Sequence, residues 1–184
     1  MLMSLLSMHK RFLPGPPGIA PMVLGPRAVK RAQTLPQPCI YFDLADLLKK
    51  QERGQTPFAP AVTTLLQIHE RMSQIVASGG AASAVASCAV LAEDFRRRIV
   101  ESGLPFEMRL VSPSNAVTYI DCPDVSAKAL FTLLKDGYGI WLCPNGGAKA
   151  DSSFRVGHIG NHPLSDNALL VSTLKEAVSS LSAK

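Results

Sequence analysis

Beyond residue 105 the apolar positions change period several times, and each change marks an element. Residues 107–111 and 116–121 alternate or cluster β-formers, which predicts two strands. Asp124 and Ser126 then open a helix with Val125, Ala129, Leu130, Leu133 and Leu134 on one side. Gly137 and Gly139 end it. A third strand is expected at 140–143 and a fourth at 153–159. Ser165 is expected to cap a last helix whose apolar side holds Leu170, Leu174, Ala177, Val178 and Leu181. Strand, strand, helix, strand, strand, helix is the order of a small α+β domain. Its helices would cover one face of a mainly antiparallel sheet.

The upstream part reads differently. Residues 12–18, FLPGPPG, combine rings that fix φ with glycines that permit φ > 0, so they form a rigid turn. A short apolar strand is expected at 19–24, then a short helix from Pro26. Residues 40–50 read as a strand end running into a helix, and 54–60, GQTPFAP, as a second constrained loop. Val62, Leu65, Leu66, His69, Met72 and Ile75 or Val76 then recur at three and four residues, one face of a long helix with His69 in the core. Gly79 and Gly80 end it. A second long helix covers about 83–101 and stops at Ser102-Gly103.

Composition narrows the class. A chain of 184 residues with 47% hydrophobic positions can bury a core and is not disordered throughout. One Trp and three Tyr are too few for a nucleic-acid reader built on stacking. The net charge of +5 is spread along the chain, and its one dense run, Arg96 to Arg98, reads as a solvated helix face. Cys39, Cys88, Cys122 and Cys143 show no metal-ligand spacing and have apolar neighbours, so they read as reduced core cysteines and point to a reducing compartment. The start, MLMSLLSMHKRF, lacks a basic leader and its apolar run is short, so it reads as an internal piece of a longer protein. No stretch approaches the ~20 apolar residues of a membrane span. The expected compartment is cytoplasmic, with the mitochondrion and the peroxisome left open.

Few residues suit chemistry. Arg155, in a glycine-flanked strand, is either a surface charge or a grip for a carboxylate through two parallel hydrogen bonds. His158 is expected on the Arg155 face as a hydrogen-bonded structural residue, and His162 precedes Pro163 in a loop. Lys10 lies beside the rigid turn, where a desolvated amine can act as a nucleophile. Gln55 and Thr56 head a Pro-locked turn whose polar groups serve either the turn or a bound phosphate. No phosphate loop, GxSxG elbow or HExxH helix occurs.

Three stretches in order, SMHKRFLPGPPGIAPMVL, YFDL with GQTPFAPAV, and ALFTLLKDGYGIWLCPNGGAKADSSFRVGHIGN, together resemble the class V aminotransferases over nearly the whole chain. The last stretch looks closest to 2-aminoethylphosphonate–pyruvate transaminases, with alanine- and serine–glyoxylate transaminases as near rivals. The resemblance implies a fold type I enzyme using pyridoxal 5'-phosphate on amino and keto acid substrates. It implies residues 1–38 as a remnant of the large cofactor domain, 39–104 as connecting loop and long helices, and 105–184 as the small α+β C-terminal domain. FRVGHIG carries the substrate-carboxylate role onto Arg155, and the lysine motif carries cofactor attachment and proton transfer onto Lys10. The family sets its lysine about one residue nearer the Pro-Pro-Gly, where Arg11 stands, and Arg cannot take that role. Ala59 replaces a Thr that offers a hydroxyl to the cofactor phosphate in many relatives, which leaves Gln55 and Thr56 as the polar candidates. Most of the cofactor domain is missing from the match. A homodimer or a partner chain carrying that domain is therefore expected, with no metal, nucleic-acid or membrane partner. Two functions stay open: a transaminase fragment inactive alone, and a non-catalytic remnant kept as a dimerisation or interaction module.

Overall fold

The computed structural model describes residues 18–108, 111–160 and 162–182. They fall into two compact units that divide between Ala77 and Ser78.

The first unit holds three helices. Helix α1, Pro26–Thr34, begins with the proline whose fixed φ suits a first turn. Helix α2, Leu44–Gln51, is capped by Asp43, whose carboxylate accepts from the Asp46 N–H at 2.9 Å. Helix α3, Val62–Ala77, buries no residue. The expected apolar stripe exists, but Val62, Leu65, Leu66, Met72 and Val76 stay exposed, and His69 is exposed rather than in the core. Two expected strands are not strands: residues 19–24 pair with no neighbour, and 40–42 form a bend and turn ahead of the Asp43 cap. Apolar runs make strands only where a ladder is at hand.

The second unit opens with helix α4, Gly80–Ser102, flanked by Gly79 and by Gly103, both in the left-handed region that favours glycine. Strands β1, Glu107–Met108, and β2, Val117–Asp121, follow, then helix α5, Ala127–Tyr138. Strand β3, Cys143–Pro144, a 3-10 turn at Gly147–Lys149, strand β4, Ser153–Gly157, and helix α6, Leu164–Ser182, complete it. The four strands lie in the order β1-β2-β4-β3, every neighbouring pair antiparallel. Ile120, Phe154 and Val156 project from one sheet face into a core with Phe95 and Ile99 of α4, Leu130 and Leu134 of α5, and Leu174 and Ala177 of α6. The unit has the expected α+β class with helices on one sheet face, and it includes α4, which the sequence reading placed in the connecting stretch 39–104.

Its boundaries differ in instructive places. Residues 140–142 are not part of β3, because the Ile140 N–H closes the end of α5 on the Leu134 carbonyl at 3.0 Å. Ser126 alone caps α5, and its hydroxyl donates to Asp151, which also receives the Lys128 N–H at 3.3 Å. Helix α6 starts at Leu164, so Ser165 lies inside its first turn and does not cap it.

The arginine run divides its work. Arg97 reaches Asp94 and Glu101, and Arg98 reaches Asp94, along the helix surface. Arg96 instead turns inward to the sheet, its Nε donating to Thr118 Oγ1 at 3.0 Å. Burial opposes the charge of Asp94, but hydrogen bonds from Arg98, Asn167 and Arg97 outweigh it and hold its carboxyl below the usual range. Buried Asn167 pins α6 to α4, donating to the Leu91 carbonyl at 3.0 Å and to Asp94 Oδ2 at 3.1 Å. Asn167→Ala is expected to lower stability by about 1–2 kcal/mol in urea unfolding, since one of those bonds goes to a charged group. A change under about 0.3 kcal/mol would show that the pin carries no stability.

Of the cysteines, only Cys122 is a buried core residue. Burial, with the nearby Asp121 charge, pushes its thiol up to about 12. Cys88 is half-buried, while Cys39 and Cys143 are exposed, one in a loop and one on the edge strand. Among the described residues no single helix is long and apolar enough to cross a membrane.

Candidate functional site

Alternation along β4 decides what its side chains can do. Phe154 and Val156 enter the core, so Arg155 stands on the opposite sheet face, which the helices leave open. Its row across the sheet is Tyr119 on β2 and Cys143 on β3. The row below is tied down: Tyr119 and Asn145 each donate to Ser153 Oγ at 2.8 Å, and Ser153 donates to the Lys149 carbonyl at 2.9 Å. The guanidinium itself is under-used. Nη2 donates to the Pro144 carbonyl at 3.2 Å, and the buried Nε has no hydrogen-bond partner. A buried charged donor without an acceptor is costly, and Arg71 Nε shares that state.

Arg155 lines a cleft of about 270 Å³ at the β3 edge of the sheet. Residues 140–142 leave the sheet there, which opens the gap. Trp141, Cys143 and Leu170 line it, and so do His162 and Asp166 from the start of α6. His162 Nδ1 lies 3.5 Å from Asp166 Oδ2. The imidazole rests on Gly160, where φ is +134° and an added Cβ would come within 2.8 Å of Nε2. From the sequence His162 is placed in a loop without a role, and Asp166 is not named. Their spacing of four residues across a helix start is the signal that could have found them.

His158 is not on the Arg155 face. It follows Arg155 by three positions, so alternation sends it to the core side, where it is 2% exposed. Its Nε2 lies 2.7 Å from Thr118 Oγ1, and its ring centroid lies 5.4 Å from that of Phe95. Burial, with the Arg96 charge adding to it, pushes the imidazole down to about 4. With Arg96 donating to Thr118, the hydroxyl is best used by donating to Nε2 of a neutral ring. The folded state therefore prefers neutral His158, and its stability is complete above the unfolded value near 6.5 and lost as pH falls toward about 4. Stability is expected to drop by about 2 kcal/mol between pH 7 and 5, and His158→Leu should flatten that slope. Urea unfolding across the range checks it, and a flat wild-type profile would contradict it.

The other candidates lie in the first unit or outside the described residues. The Thr56 hydroxyl donates to the Phe58 carbonyl at 2.7 Å, and the Gln55 N–H donates to the Lys50 carbonyl at 3.0 Å. Both are thus engaged in closing their own loop, although the Gln55 side chain is exposed. Lys10 and Arg11 lie outside the described residues. Among the described residues no group of three or more His, Cys, Asp or Glu could hold a metal ion.

No family model matches the chain. Two curated relatives are each 26% identical: a soluble hydrogenase 42 kDa subunit of Anabaena cylindrica over 79% of this chain, and a soluble hydrogenase small subunit of Synechococcus sp. over 90%. The chain spans about two fifths of their length, 38% and 43%. Among solved structures it is similar to ureidoglycine-glyoxylate aminotransferase of Bacillus subtilis, with TM-score 0.80 and 20% identity over 92% of this chain and 45% of that one. It is similar to alanine–glyoxylate aminotransferase of Nostoc sp., with TM-score 0.78 and 21% identity over 89% and 44%. Pyridoxamine-pyruvate aminotransferase of Mesorhizobium loti gives TM-score 0.74 and 23% identity over 92% and 44%. The fold is that of the C-terminal portion of these aminotransferases.

Proposed function

We propose that this chain is the C-terminal part of a pyridoxal-phosphate-dependent transaminase, which passes an amino group to pyruvate or glyoxylate from a donor such as 2-aminoethylphosphonate. One observation carries the reading: a guanidinium with a buried, unpartnered Nε stands on the open face of a sheet whose fold is that of aminotransferases. Arg155 would hold the substrate carboxylate. On this reading residues 1–38 belong to the cofactor domain, 39–104 connect, and 105–184 form the substrate-side domain. Lys10 would carry the cofactor.

The described residues do not by themselves fit the cofactor. A phosphate needs several convergent donors, and the Thr56 hydroxyl proton already serves Phe58, which leaves the exposed Gln55 amide. The cofactor, when bound, supplies the electron sink for amino transfer; this chain would supply the grip on the substrate. The test is amino transfer to pyruvate and to glyoxylate, measured with cofactor added, for the chain alone and joined to a cofactor domain. Product only in the joined form supports the proposal. No product from any amino donor in the joined form contradicts it.

A second reading, an assembly module, is favoured by the uncovered apolar residues of the first unit. Ile40 is 85% exposed, and Phe42 and Val76 are each 73% exposed. Tyr41 stacks on Phe58 at 5.0 Å in the same exposed group. Patches of this kind favour association. Sedimentation is expected to show a homodimer that Leu66→Glu with Val76→Glu dissociates. A monomer at every concentration would remove this reading.

A further inference from the structure

Asn145 is the one asparagine of the chain that a glycine follows. A side-chain amide in that setting has a nucleophile beside it, the backbone nitrogen of the next residue, with no Cβ to shield it. The structure leaves the approach open. Strand β3 ends at Pro144, so Asn145 and Gly146 lie beyond it. Gly146 is exposed and extended, with φ −105° and ψ 172°, and a Cβ there would meet nothing within 4 Å. Among the described residues its N–H enters no turn or cap hydrogen bond, and the turn that follows closes from the Ala150 N–H to the Gly147 carbonyl at 3.1 Å. Asn145 is half-buried, its amide placed by the bond from Nδ2 to Ser153 Oγ at 2.8 Å. Ser153 and Arg155 share a sheet face. Arg155 Nη2 rests at 3.2 Å on the Pro144 carbonyl, which belongs to the peptide group joining Pro144 to Asn145.

We infer that Asn145–Gly146 is a self-modifying site: Asn145 loses its side-chain amide in the folded chain, and the carboxylate left behind pairs with Arg155. The Gly146 nitrogen, having given its proton to hydroxide, attacks Asn145 Cγ. A bond forms between them, the Cγ–Nδ2 bond breaks, and ammonia leaves with a proton from water, which returns the hydroxide. Water then opens the five-membered imide at either carbonyl, giving aspartate or its isomer with the backbone running through the side chain. Water is the only reagent consumed, and no substrate or cofactor takes part. The change is large for the neighbours. Ser153 Oγ accepts from Tyr119 and from Asn145 and gives its own proton to the Lys149 carbonyl. A carboxylate cannot donate, so it loses that partner. The Arg155 fork, with Nε unpartnered, is the cation at hand. The new charge is then an internal competitor for any anion that Arg155 takes.

Trypsin cuts after Lys135 and Lys149, and Asn145 carries the sole amide side chain of the peptide 136–149. The folded chain is held in mildly alkaline buffer and sampled by digestion and mass spectrometry. That peptide is expected to gain about one dalton and to split into two products, aspartate and isoaspartate. The peptide holding Asn115, which alanine follows, should lag by at least about tenfold. Gly146→Ala, folded by circular dichroism as the open space there allows, should slow the gain at 136–149 by at least about tenfold. A folded chain that gains no mass, while the chain unfolded in urea does, overturns the inference without any variant. Loss at the wild-type rate in Gly146→Ala overturns it too. Asn145→Asp makes the product directly and tests the pairing. Followed by NMR, the introduced carboxyl should titrate below the ordinary carboxylate range, and adding Arg155→Gln should bring it back. An ordinary value before that second change means that the carboxylate does not meet Arg155, and the pairing fails.

Discussion

Phe154→Ala is expected to remove about 3–5 kcal/mol from the stability of the second unit, the largest effect of any single truncation there. Phe154 is 1% exposed and occupies the middle of the sheet, between Ile120 on β2 and Pro144 on β3. Its ring meets Phe106 edge-on at 5.6 Å and joins the cluster shared by α4, α5 and α6. Truncation deletes the transfer energy of a benzyl group. It also leaves a cavity that a sheet held by ladders on both sides cannot close. Trp141 packs edge-on against Phe131 at 5.4 Å, so its fluorescence follows unfolding of this unit. Val111→Ala, at a fully exposed position, should leave the midpoint within about 0.5 kcal/mol of wild type. A Phe154→Ala loss below about 1 kcal/mol would mean that the sheet is not packed as described. The consequence reaches the site, because the strand that anchors Phe154 in the core is the strand that aims Arg155 away from it.

Strong periodicity was legible and weak context was not. The alternation in 153–157 and the three-four spacing in α5 and α6 each follow from one buried face, and each element formed. The α+β order followed from the same signals. Residues 19–24 failed because an apolar run cannot say whether a neighbouring strand will pair with it. The stripe of α3 was read correctly as apolar and wrongly as buried, since sequence does not show what covers a face. His158 was placed on the wrong face through a miscounted step in a period of two, the error to which strands are most sensitive. Arg155 was singled out by its glycine-flanked strand, whereas the cleft beside it had no signal in the sequence. That cleft depends on the chain leaving the sheet at 140–142, on the seat at Gly160, and on the first turn of α6 arriving from elsewhere in the fold.

Arg155→Lys is the substitution expected to cost most in activity, in a protein that joins this chain to a cofactor domain. The guanidinium presents a planar fork that matches a carboxylate through two hydrogen bonds, whereas an ammonium is a compact point charge on a flexible stem. The site adds a local reason. Nη2 is already held on the Pro144 carbonyl at 3.2 Å, so the fork is oriented before substrate arrives, and a lysine has no second nitrogen to keep that hold. Gly157, where an added Cβ would meet nothing within 4 Å, leaves that part of the strand open. Loss of a desolvated charged pair is worth roughly 2–4 kcal/mol, about 30- to 1000-fold in kcat/KM for pyruvate. The KM for the keto acid should rise, because the interaction holds the substrate before as well as during reaction. On the proposed reading Arg155 grips the substrate and not the cofactor, so binding of the cofactor itself should be unchanged. Steady-state transamination by wild type and variant, with cofactor absorbance followed in parallel, separates the two. An unchanged kcat/KM would take Arg155 out of the site. Equal losses of activity and cofactor would show that its role lies in the fold rather than in recognition.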